Sequence, residues 1–144
     1  MMQNKVLDTL LGELTLENEL YFCESNAFGE KIYLTLYPEE LTEQSFKQIL
    51  QFTHEVFPKI SLVKINNLKY ECATEITASA YSQSDYNYTE KDIDNLYKDM
   101  ILSEIGFIEE SIIFTFKSPK IFKNETLAIQ VDETFETEDI TIQN

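Results

Sequence analysis

Apolar and polar positions alternate most clearly between Glu104 and Phe116. There two β-rich runs, Glu104 to Ile108 and Ser111 to Phe116, flank the polar pair Glu109-Glu110. That grammar predicts a β-hairpin. Ile112, Phe114 and Phe116 fall on one face of its second strand, and Ile113 and Thr115 on the other. Apolar residues on both faces predict a strand near the centre of a sheet, covered on each side. Upstream, after a short lead, Glu13 to Leu16 alternates, Glu17-Asn18 turns the chain, and Glu19 to Cys23 returns. Lys31 to Tyr37 then places Ile32, Leu34 and Leu36 on one face and Lys31, Tyr33, Thr35 and Tyr37 on the other. Pro38 ends this antiparallel meander.

The period then changes from two to nearly four. Thr42 suits an N-cap, Glu43 suits the positive end of a helix, and Phe46, Ile49, Leu50, Thr53 and Phe57 recur at helical spacing. Pro58 closes this first helix or opens the next. Ile65, Leu68, Cys72, Ile76 and Ala80 predict a second helix from Lys59 to near Tyr81. Ser82 to Tyr88 is a polar, turn-rich connector. Thr89-Glu90-Lys91-Asp92 resembles a capping box with Asp in place of Glu, and opens a third helix carrying Ile93, Leu96, Tyr97, Met100 and Ile101. After the hairpin come a loop from Lys117 to Lys123, a strand from Leu127 to Val131 and a short edge strand at Ile140 to Ile142. Strands at both ends with helices between them predict one α+β domain over 1–144. Its antiparallel sheet comes from an N-terminal meander and C-terminal hairpins, packed against about three helices.

Charge changes the picture more than composition does. Eleven cations, all Lys, face 26 acids, for a formal net charge of −15, and there is no Arg. The best bidentate phosphate ligand is therefore missing, and long-range repulsion disfavours nucleic acid and anionic lipid. A basic protein is the natural complement; the bland alternative is acidity serving only solubility. Cys23 and Cys72 lie far apart without a C-x-x-C and read as free core thiols. The first nine residues lack the pattern of a secretory signal, and no run of 18 apolar residues occurs, so a cytoplasmic protein is expected.

His54 is the only histidine, with no Cys or carboxylate at i+3 or i+4, and reads as a half-exposed surface residue. No serine sits in G-x-S-x-G, and three scattered glycines cannot build a phosphate loop. No lysine has an acid two residues before it. Glu39-Glu40 and Glu109-Glu110 read as turn charges, because adjacent strand residues point to opposite faces. The expectation is a protein without enzymatic activity, cofactor or metal. Tyr81, Tyr86 and Tyr88 cluster in the connector, either as interface residues or as rings folded over helix ends.

The order LGELTLENELYF, a helical middle, YTEKDIDNLYKDMILSEIGFIEESIIFTF and IFKNETLAIQV resembles a bacterial family of small uncharacterised domains. Its members combine an N-terminal G-x-L-x-L strand and β-hairpin with helices and a closing β-hairpin. They occur near polymorphic-toxin and contact-dependent growth-inhibition loci as suspected immunity proteins. The likeness spans roughly residues 11 to 131 and rests on apolar patterning. Where the family often carries F-x-G-H-x-I, this chain has Phe122 to Leu127, with Asn124 and Glu125 in place of Gly-His. The resemblance implies an inhibitor of a cognate toxin, possessing an acidic surface that occludes a basic cleft. The expected contacts are Asp132, Glu133, Glu136, Glu138 and Asp139, together with Glu90, Asp92, Asp94 and Asp99 beside Tyr86 and Tyr88. These read as the acids that the fold needs least. The alternatives are an interaction or regulatory module with no toxin partner, and a small hydrolase built on His54. Oligomeric state, the toxin's activity and the face that binds it stay open.

Overall fold

The computed structural model describes residues 2–144. The described residues form eight strands in one sheet, in chain order from edge to edge. The strands are β1 (Lys5–Asp8), β2 (Gly12–Glu17), β3 (Leu20–Ser25), β4 (Ile32–Tyr37), β5 (Ile101–Ile108), β6 (Ser111–Ser118), β7 (Phe122–Asp132) and β8 (Thr137–Gln143). Between β4 and β5 run α1 (Glu43–Val56), a 3₁₀ turn (Phe57–Lys59), α2 (Leu62–Ala80) and α3 (Glu90–Asp99). Every neighbouring pair is antiparallel except β4 and β5, which are parallel. The fold is α+β.

Cross-strand rows explain which face is covered. One row reads Cys23, Leu34, Ile105, Phe114, Ile129 and Ile140, and the next reads Tyr21, Leu36, Phe107, Ile112 and Val131. All but Ile140 are buried, and each fully buried apolar side chain contributes about 1.5–3 kcal/mol. The helices lie against these rows. Phe46 of α1 meets Tyr21 with ring centroids 4.2 Å apart, and Phe57 meets Phe107 edge-on at 6.5 Å. α1 packs on β4 and β5, α2 on β7 and β8, and α3 on β6.

Rows of the opposite face read Phe22, Thr35, Gly106, Ile113, Gln130 and Asp139, then Glu24, Tyr33, Glu104, Thr115, Ala128 and Thr141. These mixed rows cannot support a second layer, and the expected cover on both sides of β6 is replaced by lateral shielding. The Thr35 hydroxyl donates to Glu104 Oε2 at 2.7 Å. The Tyr37 ring closes over Gly106, where a Cβ would sit 3.1 Å from Cε2.

Boundaries moved where backbone needs overrode side-chain period. The third helix ends at Asp99: Met100 is extended and buried, its N–H donates to Leu96 and Tyr97 carbonyls, and Ile101 opens β5. Both residues continue an apolar period that serves the sheet, not the helix. The second helix starts at Leu62, capped by Ser61, whose Oγ accepts the Lys64 N–H at 3.2 Å. Thr42 caps α1 as expected, accepting the Ser45 N–H at 3.1 Å. The β2–β3 turn is Asn18-Glu19, both at positive φ (53° and 69°), one residue beyond the expected Glu17-Asn18. β1 falls within the short lead before Glu13, where no alternating pattern marks a strand. The 117–123 loop shrinks to Pro119–Ile121 because β6 and β7 extend into it. Both cysteines are free and buried. Burial, with nearby Asp8 for Cys23 and Glu71 for Cys72, pushes their thiols up to about 11 and about 12.

Candidate functional site

Strand ends, turns and one helix face meet in an acidic groove of about 850 Å³. Tyr37 and Glu39 line it at the exit of β4, and α1 contributes Gln48, Gln51, Phe52 and Glu55. The β5–β6 turn adds Glu109 and Glu110, and the β7–β8 hairpin adds Asp132, Glu133 and Glu138. Seven of the lining residues are thus carboxylates, and no lysine is among them. The turn charges that read as solvent decoration belong to a shared surface.

Local structure fixes Glu109's backbone and the side chains of Asp132 and Glu138. Glu109 sits in a two-residue turn at φ 50°, which fixes the direction in which the acidic pair leaves the sheet. Asp132 Oδ1 accepts the Thr134 N–H and hydroxyl at 2.8 and 2.6 Å and the Glu136 N–H at 3.0 Å, bracing the β7–β8 turn. The Thr134 hydroxyl and then the Glu136 amide hold its carboxyl below the usual carboxylate range. Glu138 Oε1 accepts the Ser111 hydroxyl at 2.6 Å and Gln130 Nε2 at 3.3 Å.

The two sets of acids expected from sequence are not brought together. Asp132, Glu133 and Glu138 line the groove, while Glu136 and Asp139 lie exposed on the same hairpin outside its lining. The α3 set lies at the opposite end of β6. Asp99 Oδ2 accepts the Ser118 hydroxyl at 2.6 Å and the Lys120 and Ile121 amides at 3.0 and 2.9 Å. Ser118 ends the strand that Ser111, the partner of Asp132, begins, a span of roughly 23 Å along β6.

Several of these acids are not spare. Asp132 braces a turn, and Asp99 ties α3 to the β6–β7 turn. Asp99 is raised by burial but lowered more by its hydrogen bonds, Ser118 foremost. Asp92 completes the capping box by accepting the Thr89 N–H at 2.9 Å, and also takes the Tyr86 hydroxyl at 2.9 Å. Glu90 and Asp94 are exposed. Tyr81 packs against Tyr86 and Tyr88 with centroids 4.9 and 6.2 Å away, joining the end of α2 to the start of α3. Tyr86 and Tyr88 are still about half exposed.

His54 is half exposed, with a partner that the sequence did not reveal. Its Nε2 lies 2.8 and 3.0 Å from the oxygens of Asp8, a residue 46 positions away whose carboxylate is nearly buried. Asp8 Oδ2 also accepts the Leu10 and Leu11 amides at 3.0 and 2.9 Å. This pair anchors the β1–β2 hairpin to α1. Among the described residues, no three His, Cys, Asp or Glu side chains gather as metal ligands. No helix among them is long and apolar enough to cross a membrane.

Comparison with protein-family models, with curated proteins and with solved structures finds no match. The likeness to small bacterial immunity-type domains therefore stands on residue pattern alone.

Proposed function

We propose that this protein is a cytoplasmic immunity-type inhibitor that binds a basic toxin domain and covers its active-site cleft, without catalysing a reaction of its own. The acidic groove carries this reading: seven carboxylates and no lysine line one concave surface. Such a surface raises the rate of encounter with a positively charged protein, and it competes for a cleft built to hold phosphates. Nuclease or tRNA-directed toxins have clefts of that kind. A groove that merely kept the protein soluble would need no concavity and no braced turns.

The test is co-expression with the protein encoded by the adjacent open reading frame. A complex should co-purify, protect cells from that protein and weaken as salt is raised. Glu110→Lys with Glu133→Lys should weaken it by about 4 kcal/mol or more if both acids are contacts. A neighbour that neither binds nor harms cells would sink the proposal.

A further inference from the structure

Two sheet edges are open, and they are unequal. β1 offers four residues, whereas β8 offers seven, Thr137 to Gln143. A second groove, of about 560 Å³, runs between β8 and α2. Ile76, Ile140 and Ile142 lie along it, and Glu71, Glu75 and Asp139 flank them. No basic residue lines it. It meets the first groove at Glu138, which lines both.

The backbone along this edge is ready to pair. The Asp132 N–H donates to the Glu136 carbonyl across the turn. By antiparallel alternation, Gln130 and Ala128 then aim their backbone groups at β8, and their register partners Asp139 and Thr141 aim back. The intervening Ile140 and Ile142 direct their N–H and C=O outward, with no strand beyond them among the described residues. The Ile140 N–H meanwhile donates to Asp139 Oδ1 at 3.0 Å, a local bond that an added strand would replace. Their side chains share the helix-side face with Ile129 and Leu127. A strand added here would send alternate side chains toward α2, over Ile76 and beneath Glu71 and Glu75.

We propose that β8 is a docking edge for an extended, basic segment of a partner protein, which joins the sheet as a ninth strand. The lining matches long cationic side chains: aliphatic stems lie over the isoleucines while the charged heads reach the glutamates. Arginine suits this better than lysine, since its planar fork can take a carboxylate on two bonds. A second copy of this chain is the wrong occupant, because it would bring two acidic edges and two −15 chains together. The inference rests on the inhibitor proposal only for calling the partner a toxin.

A blocked peptide of alternating Arg and Thr, nine residues long, is the probe. Amide exchange is followed by NMR on the intact protein. At saturation, the Ile140 and Ile142 amides should exchange at least tenfold more slowly. The same peptide with alternate backbone nitrogens methylated keeps its charge but loses its donors, and should bind at least tenfold more weakly. Glu71→Gln with Glu75→Gln, both exposed on α2, should weaken the unmethylated peptide severalfold at unchanged thermal stability. Equal binding of the two peptides, or binding without slowed exchange at Ile140 and Ile142, would show charge attraction alone and overturn the proposal. So would no binding at millimolar peptide. Protection that rises with protein concentration in the absence of peptide would assign the edge to a second copy and likewise overturn it. A protein that takes the peptide but ignores its adjacent-gene neighbour would retain this edge and lose the inhibitor reading.

Discussion

Asp8 shows how much one carboxylate can organise. It is nearly buried, yet it satisfies two amides of the β1–β2 turn and the His54 ring together. Removing the ring leaves a buried carboxylate short of a partner, which costs about 1–3 kcal/mol. His54→Ala should therefore lower the urea-unfolding free energy by that amount at pH 7, and Asp8→Ala by at least as much, since it orphans both amides. A fall smaller than about 0.5 kcal/mol for His54→Ala would mean that the ring is a passive surface group. The sequence showed His54 as half exposed but not its partner, because a contact across 46 residues leaves no local spacing to read. Glu109 and Glu110 do occupy the hairpin turn that the sequence predicts, with Glu109 at φ 50°. What no local spacing records is that this turn lines a groove together with α1 and the β7–β8 hairpin.

Among the elements, α3 is the one whose start was most legible. Thr89 and Asp92 stand at the capping-box spacing, and the structure forms the box. Thr89→Ala should cost about 1 kcal/mol in thermal or urea unfolding. Asp92 carries a pH signature as well. The Thr89 amide, then the Tyr86 hydroxyl, hold its carboxyl below the ordinary value of 3.8. A depressed folded value means stabilisation that is complete above 3.8 and lost as pH falls through the folded value. Asp92→Asn should thus be less stable than the natural protein at pH 7, with the gap closing below pH 3.8. A gap that is constant down to pH 2 would count against the box as its cause. The end of α3 was harder to read, because Met100 and Ile101 keep the helical apolar period while their backbone already belongs to the strand approach. Where one core is shared by helix and sheet, side-chain pattern records burial and leaves the backbone state ambiguous.

Over the whole molecule, the α+β class was legible because period-two and near-four segments are separated along the chain. The parallel join between β4 and β5 was not, since nothing local records which strands a long crossover brings together. Nor was the groove, whose residues come from four separate stretches of sequence. The −15 net charge has a global cost. The two lysine–carboxylate pairs found among the described residues, Lys5–Glu13 and Lys31–Glu24, are exposed and contribute little. Self-repulsion should therefore dominate the salt response, and moving from about 10 mM to about 500 mM NaCl should raise the melting temperature by several degrees, as screening shortens from roughly 30 Å to under 10 Å. An unchanged or lower melting temperature would show that the acids are already offset within the fold.

The parallel join also sets a timetable for synthesis. Ile32, Leu34 and Leu36 leave the ribosome early, but β5, which closes the outer side of β4, begins only at Ile101. At roughly 5–20 residues per second, the intervening stretch takes several seconds to emerge. During that interval the three helices emerge one after another beside an unfinished sheet, so chaperone contact should concentrate on the first 37 residues and end as the closing hairpin arrives.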